Sequence, residues 1–142
     1  VIYLKIIAAL LIVAFIGIQF TYIERSNPPI TGEIDAPAQV KEIMRRSCYD
    51  CHSNESVWPW YSYIAPASWL VADDVSEGRA ELNFSEWSSY DDKKKRKKIK
   101  EIWEEVEEGE MPQWYYVLMH PEARLSDADK KTLRDWTATW GK

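Results

Sequence analysis

The chain has 142 residues, enough for one domain with an appended segment, and a formal net charge of −5. That acidic balance speaks against a nucleic-acid partner, which needs a basic face for phosphates. Only two cysteines are present, so a scaffold of several disulfides is excluded.

The N-terminal stretch from Ile6 to Phe20 reads IIAALLIVAFIGIQF, with Val1, Ile2 and Leu4 before it and Ile23 after it. Its length and hydropathy predict a transmembrane helix over residues 1–23. Tyr3 and Tyr22 stand near the two ends, where interfacial aromatics gather, and Lys5 is the sole charge before Glu24. No small-x-small site follows the run, which favours a retained anchor over a removed signal peptide. The competing reading, a helix buried in a globular core, is weakened by how few polar residues break the run. Lys5 and Arg25 nearly balance, so charge does not set the orientation.

Residues 24–37, ERSNPPITGEIDAP, hold three prolines and a glycine and read as a linker. The Pro28-Pro29 step predicts an extended, stiff spacer that holds the domain off the lipid surface. From Ala38 to His52 a helical period follows, with Val40, Ile43, Met44, Ser47, Cys48 and Cys51 on or just past one face. Asp35 is the candidate N-cap, with Pro37 near the first turn.

Residues 53–69 are rich in aromatics and proline and predict irregular structure with at most a short helix. A modest helix is expected over 69–79, then a loop and a short helical turn opened by Ser85. Residues 91–108 predict a longer helix with Ile99, Ile102, Trp103 and Val106 on one face. Its lysines come early and its glutamates late, against the helix dipole, with Asp91 and Asp92 offsetting this in part. Gly109 ends it. The run Lys93–Lys98 reads as a solvated face in preference to a docking patch for an acidic redox partner. The last helix begins at Ser126, with Asp129 completing a capping box and Leu133, Trp136, Thr137 and Trp140 forming the buried stripe. No strand alternation appears, so the fold class is all-α.

Cys48-Tyr49-Asp50-Cys51-His52 is C-x-x-C-H, the spacing of a c-type haem attachment. Two thiols three residues apart at a helix end each reach one vinyl group of a porphyrin, and the adjacent imidazole lies over the iron. A Cys48–Cys51 disulfide is a rival. A thioredoxin-type pair needs a βαβ context that is missing, and a zinc knuckle needs more ligands than His120 can add. The second axial ligand is expected to be Met111, in Gly109-Glu110-Met111-Pro112, with His120 as the alternative and Met119 and Met44 behind it. Eight Trp and eight Tyr suit a wall around a large flat ligand, or simply a core short of Phe.

Taken together, CYDCHSN, WPWYSYIAPASW, EGRAELNFSEW, GEMPQWYYVLMHPEARLS and a Trp-bearing terminal helix resemble the haem-binding domain family of bacterial c-type cytochromes. The likeness runs from about Val40 to Trp140, and the segment between Trp60 and Glu110 is longer and more charged than in a minimal cytochrome c. It implies a cytochrome c-like helical domain over residues 38–142, with one covalent haem c and His52 proximal. Met111 occupies the place of the distal Met loop. Within such a domain Trp58, Trp60, Tyr61 and Trp114 are expected to wall the porphyrin or bond its propionates, and Arg79 to pair with a propionate.

The resemblance further implies an electron carrier rather than an enzyme, working with redox partner proteins in a membrane respiratory complex. The domain is then expected in the periplasm, on a single-pass anchor in the inner membrane. A haem-based redox or gas sensor and a peroxidase-like haem enzyme are the rival classes.

Overall fold

The computed structural model describes residues 1–141, and helices dominate them; the one extended pairing is an isolated parallel bridge between Gly32 and Glu86. Helix α1 covers Ile2–Ile18, and none of its residues is buried. At 1.5 Å per residue its 17 residues reach roughly 26 Å, short of a hydrocarbon core of about 30 Å. No helix among the described residues is long and apolar enough to cross a membrane. The expected helical span to residue 23 is cut short because Gln19 caps α1 and turns its side chain onto Ala65.

The proline-rich segment does not stand free as a spacer. The Thr31 and Gly32 amides both donate to the Ser85 carbonyl, at 2.9 and 3.0 Å, and Ile34 is 0% exposed in the core. Residues 24–37 therefore form a strap against the domain, since burying Ile34 and pairing the backbone outweigh the stiffness of two prolines.

The predicted helix over 38–52 is two helices. Helix α2, Ala38–Ser47, starts at Pro37 with no side-chain cap, so Asp35 does not serve as one. It buries Val40, Ile43, Met44 and Ser47. Cys48, at φ −130° and ψ −33°, breaks the helix, and α3, Tyr49–His52, follows. A 3₁₀ turn at Trp60–Tyr63 leads into α4, Ala67–Glu81. Helix α5, Asp92–Glu108, ends as expected at Gly109, which closes it at φ 82°, a left-handed conformation that favours glycine, and it opens on an N-cap the pattern did not single out: the Asp91 carboxylate accepts from the Lys94 amide at 2.7 Å.

After α5 the sequence pattern had given no further element until Ser126, yet Trp114–Met119 forms α6. Helix α7, Asp127–Thr137, opens on a reciprocal capping box between Ser126 and Asp129 and runs on into a 3₁₀ turn, Ala138–Gly141. Leu133, Trp136 and Thr137 are buried, and Trp140 packs against the core while partly exposed. Helices α2, α5 and α7 pack together, and α3 lies against α4. The core formed by Ile34, Met44, Phe84, Trp87, Ile99 and Leu133 with their neighbours joins these two groups.

Candidate haem site

A cavity of about 600 Å³ opens between the α3–α4 pair and α5, closed at one end by Met111, Pro112 and Gln113. That volume is typical of a site for a small organic ligand, which usually runs from about 300 to 1,000 Å³. Cys48, Cys51 and His52 line it from α3 and the break before it. Both cysteines are free thiols, and burial pushes each up to about 12, so they are protonated at neutral pH. Cys51 is pushed in the same direction by the nearby Asp74 and Asp50 carboxylates.

His52 Nδ1 lies 2.9 Å from the Gly78 carbonyl oxygen and 3.1 Å from that of Leu82. Two carbonyl acceptors require Nδ1 to carry the proton, which leaves the Nε2 lone pair as the free ligating position. Burial lowers the imidazole below its ordinary value, against the opposing pull of those carbonyls, so the ring is held neutral. Close approach of α4 makes this possible. A Cβ on Gly78 would sit 2.5 Å from the Cys51 carbonyl oxygen, so only glycine lets the helices come this near.

The two residues inside the motif anchor it to different elements. Tyr49 is buried and stacks on Phe84 with 5.2 Å between ring centroids. Asp50 accepts a 2.7 Å hydrogen bond from the Tyr116 hydroxyl on α6 and a 3.0 Å bond from the Val57 amide. The Tyr116 hydroxyl is pushed well above its ordinary value by burial and by Asp50, so it remains a donor.

Met111 lines the same cavity as His52. His120 does not. An Nδ1–H tautomer satisfies its surroundings: the Tyr61 hydroxyl donates to Nε2 at 2.7 Å, and Nδ1 donates to Glu122 at 3.2 Å. Its ring also stacks on Tyr116 at 4.5 Å. Met44 is fully buried among core side chains, and Met119 borders a different cavity.

That second cavity, of about 340 Å³, shares Asp50, Cys51, Asp74, Gln113 and Tyr116 with the first. Trp58, Tyr61 and Trp114 line it rather than the His52 cavity, and the buried Trp58 indole N–H has no partner. Trp60 lines neither and is largely exposed, because the 3₁₀ turn points it outward. Arg79 is likewise committed elsewhere. Its guanidinium donates to the carbonyls of Ser53 and Ser26, to Asn27 Oδ1 and to Ser56 Oγ, which ties the strap to the loop after α3.

The cation on the wall of the His52 cavity is instead Lys98. Only 9% exposed, it pairs with Glu101 at 2.7 Å and Glu81 at 3.5 Å. Burial works against its charge, but those carboxylates outweigh it and raise the ammonium above its ordinary value. Within the basic run, the local signal for this inward lysine is its place next to Ile99 on the buried face. Among the described residues no three His, Cys, Asp or Glu side chains gather in an arrangement that could hold a bare metal ion.

The donor set fits a porphyrin iron: two thiols, one imidazole nitrogen left free, and a thioether on one cavity wall. A family model described as a haem-binding domain matches residues 13–139, beginning inside α1 and taking in the strap. No curated protein and no solved structure matches the chain.

Proposed function

The chain belongs to the haem-binding domain family, and from that premise we propose that it is a monohaem c-type cytochrome that carries electrons at a membrane surface. The observation that carries this reading is the convergence of Cys48, Cys51, His52 and Met111 on one cavity. In it, Cys48 and Cys51 would hold the porphyrin, each thiol adding across a vinyl group with sulfur to one carbon and the proton to the other, so that no oxidant or reductant is consumed. His52 Nε2, its ring oriented by the Gly78 and Leu82 carbonyls, would hold the iron, with Met111 as the candidate second donor. When bound, the haem supplies an iron that accepts and returns one electron. The protein's part is to keep both axial positions closed, exclude water and set the potential; a thioether ligand raises it relative to a second imidazole. Lys98 is the wall group available to a propionate.

Helix α1 is proposed as the membrane anchor, on the grounds that it is apolar but for Lys5 and unburied throughout. A place on the periplasmic face of the inner membrane and a redox partner within a respiratory complex are part of the same proposal, supported by the chemistry of covalent haem attachment. Electron transfer is preferred to turnover of a substrate because His52 and Met111 line the same cavity and would together supply both donors to a bound iron.

The test is the spectrum of the protein matured in cells equipped for covalent haem attachment. The pigment is expected to stay with the polypeptide in acidified organic solvent. The ferric form is expected to show the far-red band of a sulfur ligand, lost in Met111→Ala and kept in His120→Ala. A colourless protein, or pigment released into the solvent, sinks the covalent reading. Loss of the second ligand in His120→Ala moves the axial assignment. Rapid carbon monoxide binding by the reduced protein favours the sensor class.

A further inference from the structure

We propose that the face of the domain around the foot of α1 rests in the interfacial layer of a lipid bilayer, so that the domain sits on the membrane instead of hanging from a spacer. This rests on the reading of α1 as an anchor.

The foot of α1 is fixed to one edge of the domain. The Gln19 side chain donates to the Ala65 carbonyl at 3.2 Å and accepts from the Ala65 amide at 2.9 Å. The Trp69 indole N–H donates to Thr21 Oγ1 at 3.0 Å. Arg25 donates to the Ser62 carbonyl at 3.0 Å, and its guanidinium carbon lies 4.5 Å from the centroid of the Tyr63 ring. Residues 62–69 therefore stand beside the end of the helix, and the strap leaves no free length between helix and domain.

Apart from Glu24 and Arg25, what surrounds that junction is uncharged. From Val57 to Ala72 the sequence has no Asp, Glu, Lys, Arg or His, in a chain whose residues are 29% charged. Phe20 is 85% exposed, Tyr22 84%, Trp60 70% and Tyr63 60%. Aromatic side chains of this kind, several with a polar edge, partition to the headgroup level of a bilayer. In water the same patch has no structural use. A lipid surface is the occupant that fits, because the collar is continuous with α1, whose side chains are exposed and almost wholly apolar.

The test uses the full chain, haem-loaded, in vesicles of phosphatidylcholine and phosphatidylglycerol, with the photo-crosslinking residue benzoylphenylalanine at one of three positions. Ile12 reports on α1 and Tyr63 on the collar. Asp127 is the control, at the start of α7, which packs on α2 and α5. Lipid adducts, read by mass spectrometry, are expected at 12 and 63 and absent at 127. Adducts at 12 without any at 63 overturn the docking while leaving the anchor intact. No adduct at 12 removes the anchor reading and the docking with it. A crosslinked dimer from position 63, in place of a lipid adduct, overturns the proposal in favour of a second copy of the chain.

Discussion

Replacing Gly78 with alanine sets two physical effects of opposite sign against each other. Gly78 lies inside α4, where intrinsic propensity alone makes Gly→Ala stabilising by about 1 kcal/mol. The structure argues the other way. The added Cβ would lie 2.5 Å from the Cys51 carbonyl oxygen, 3.0 Å from its carbon and 3.1 Å from its Cβ. Ordinary contact begins near 3.4 Å, so α4 must retreat by roughly 0.9 Å from backbone atoms that have no rotamer with which to yield. Overpacking of this kind costs about 1–3 kcal/mol. The same retreat lengthens the His52 bonds to Gly78 and Leu82, a loss of about 1 kcal/mol more. The net expectation is a loss of about 1–3 kcal/mol, measured by urea unfolding of the haem-loaded protein. It should be accompanied by a weaker or mixed axial-ligand spectrum, because the imidazole is no longer held. Gly17→Ala, which meets nothing within 4 Å in α1, is the control. A Gly78→Ala protein as stable as the parent, with an unchanged spectrum, would refute the account of how α4 positions His52.

Three further outcomes are expected. Gly109→Ala should lower the thermal midpoint and cost about 1 kcal/mol, since position 109 needs φ 82° and no neighbour obstructs the new methyl. Arg79→Lys should increase protease cleavage within residues 24–37 while leaving the haem spectrum unchanged, because the guanidinium serves the strap; a shifted spectrum with an intact strap would instead return it to a propionate. Asp129 is the third. Burial raises its carboxyl, but bonds from the Ser126 amide and hydroxyl and from Arg46 outweigh this and hold it below its ordinary value. Its contribution is then complete at neutral pH and lost as pH falls below about 4. Asp129→Asn should cost about 1 kcal/mol in urea unfolding at pH 7, and the gap to the parent should narrow at pH 3.

Features set by neighbours in sequence were legible, and features set by distant ones were not. The C-x-x-C-H pattern, the Gly109 end of α5 and the Ser126–Asp129 box each depend on residues a few places apart. The helical period through Val40, Ile43 and Met44 likewise predicted the buried face of α2. The strap escaped notice because its partners, Ser85 and Glu86, lie more than fifty positions away and Ile34 is a lone apolar residue between acids. The strap role of Arg79 is hidden for the same reason, as its acceptors come from two remote segments. Lys98 was hidden by its setting, since a basic run reads as solvent-facing while the geometry of α5 turns one of its members inward.

The break at Cys48 shows how local and distant constraints combine at the site. An unbroken helix would keep Tyr49 and Asp50 on a course set by α2. Both are instead held from outside it, Tyr49 by the face of Phe84 and Asp50 by the Tyr116 hydroxyl and the Val57 amide. These anchors come from different elements, and the short α3 is the segment that satisfies both. The x positions of the motif are free as far as thioether spacing is concerned. In this chain they decide where the cysteines and the imidazole point. The chemistry of the site is therefore written in Cys48, Cys51 and His52, while its orientation is supplied by the two residues between the cysteines and by the close approach of Gly78.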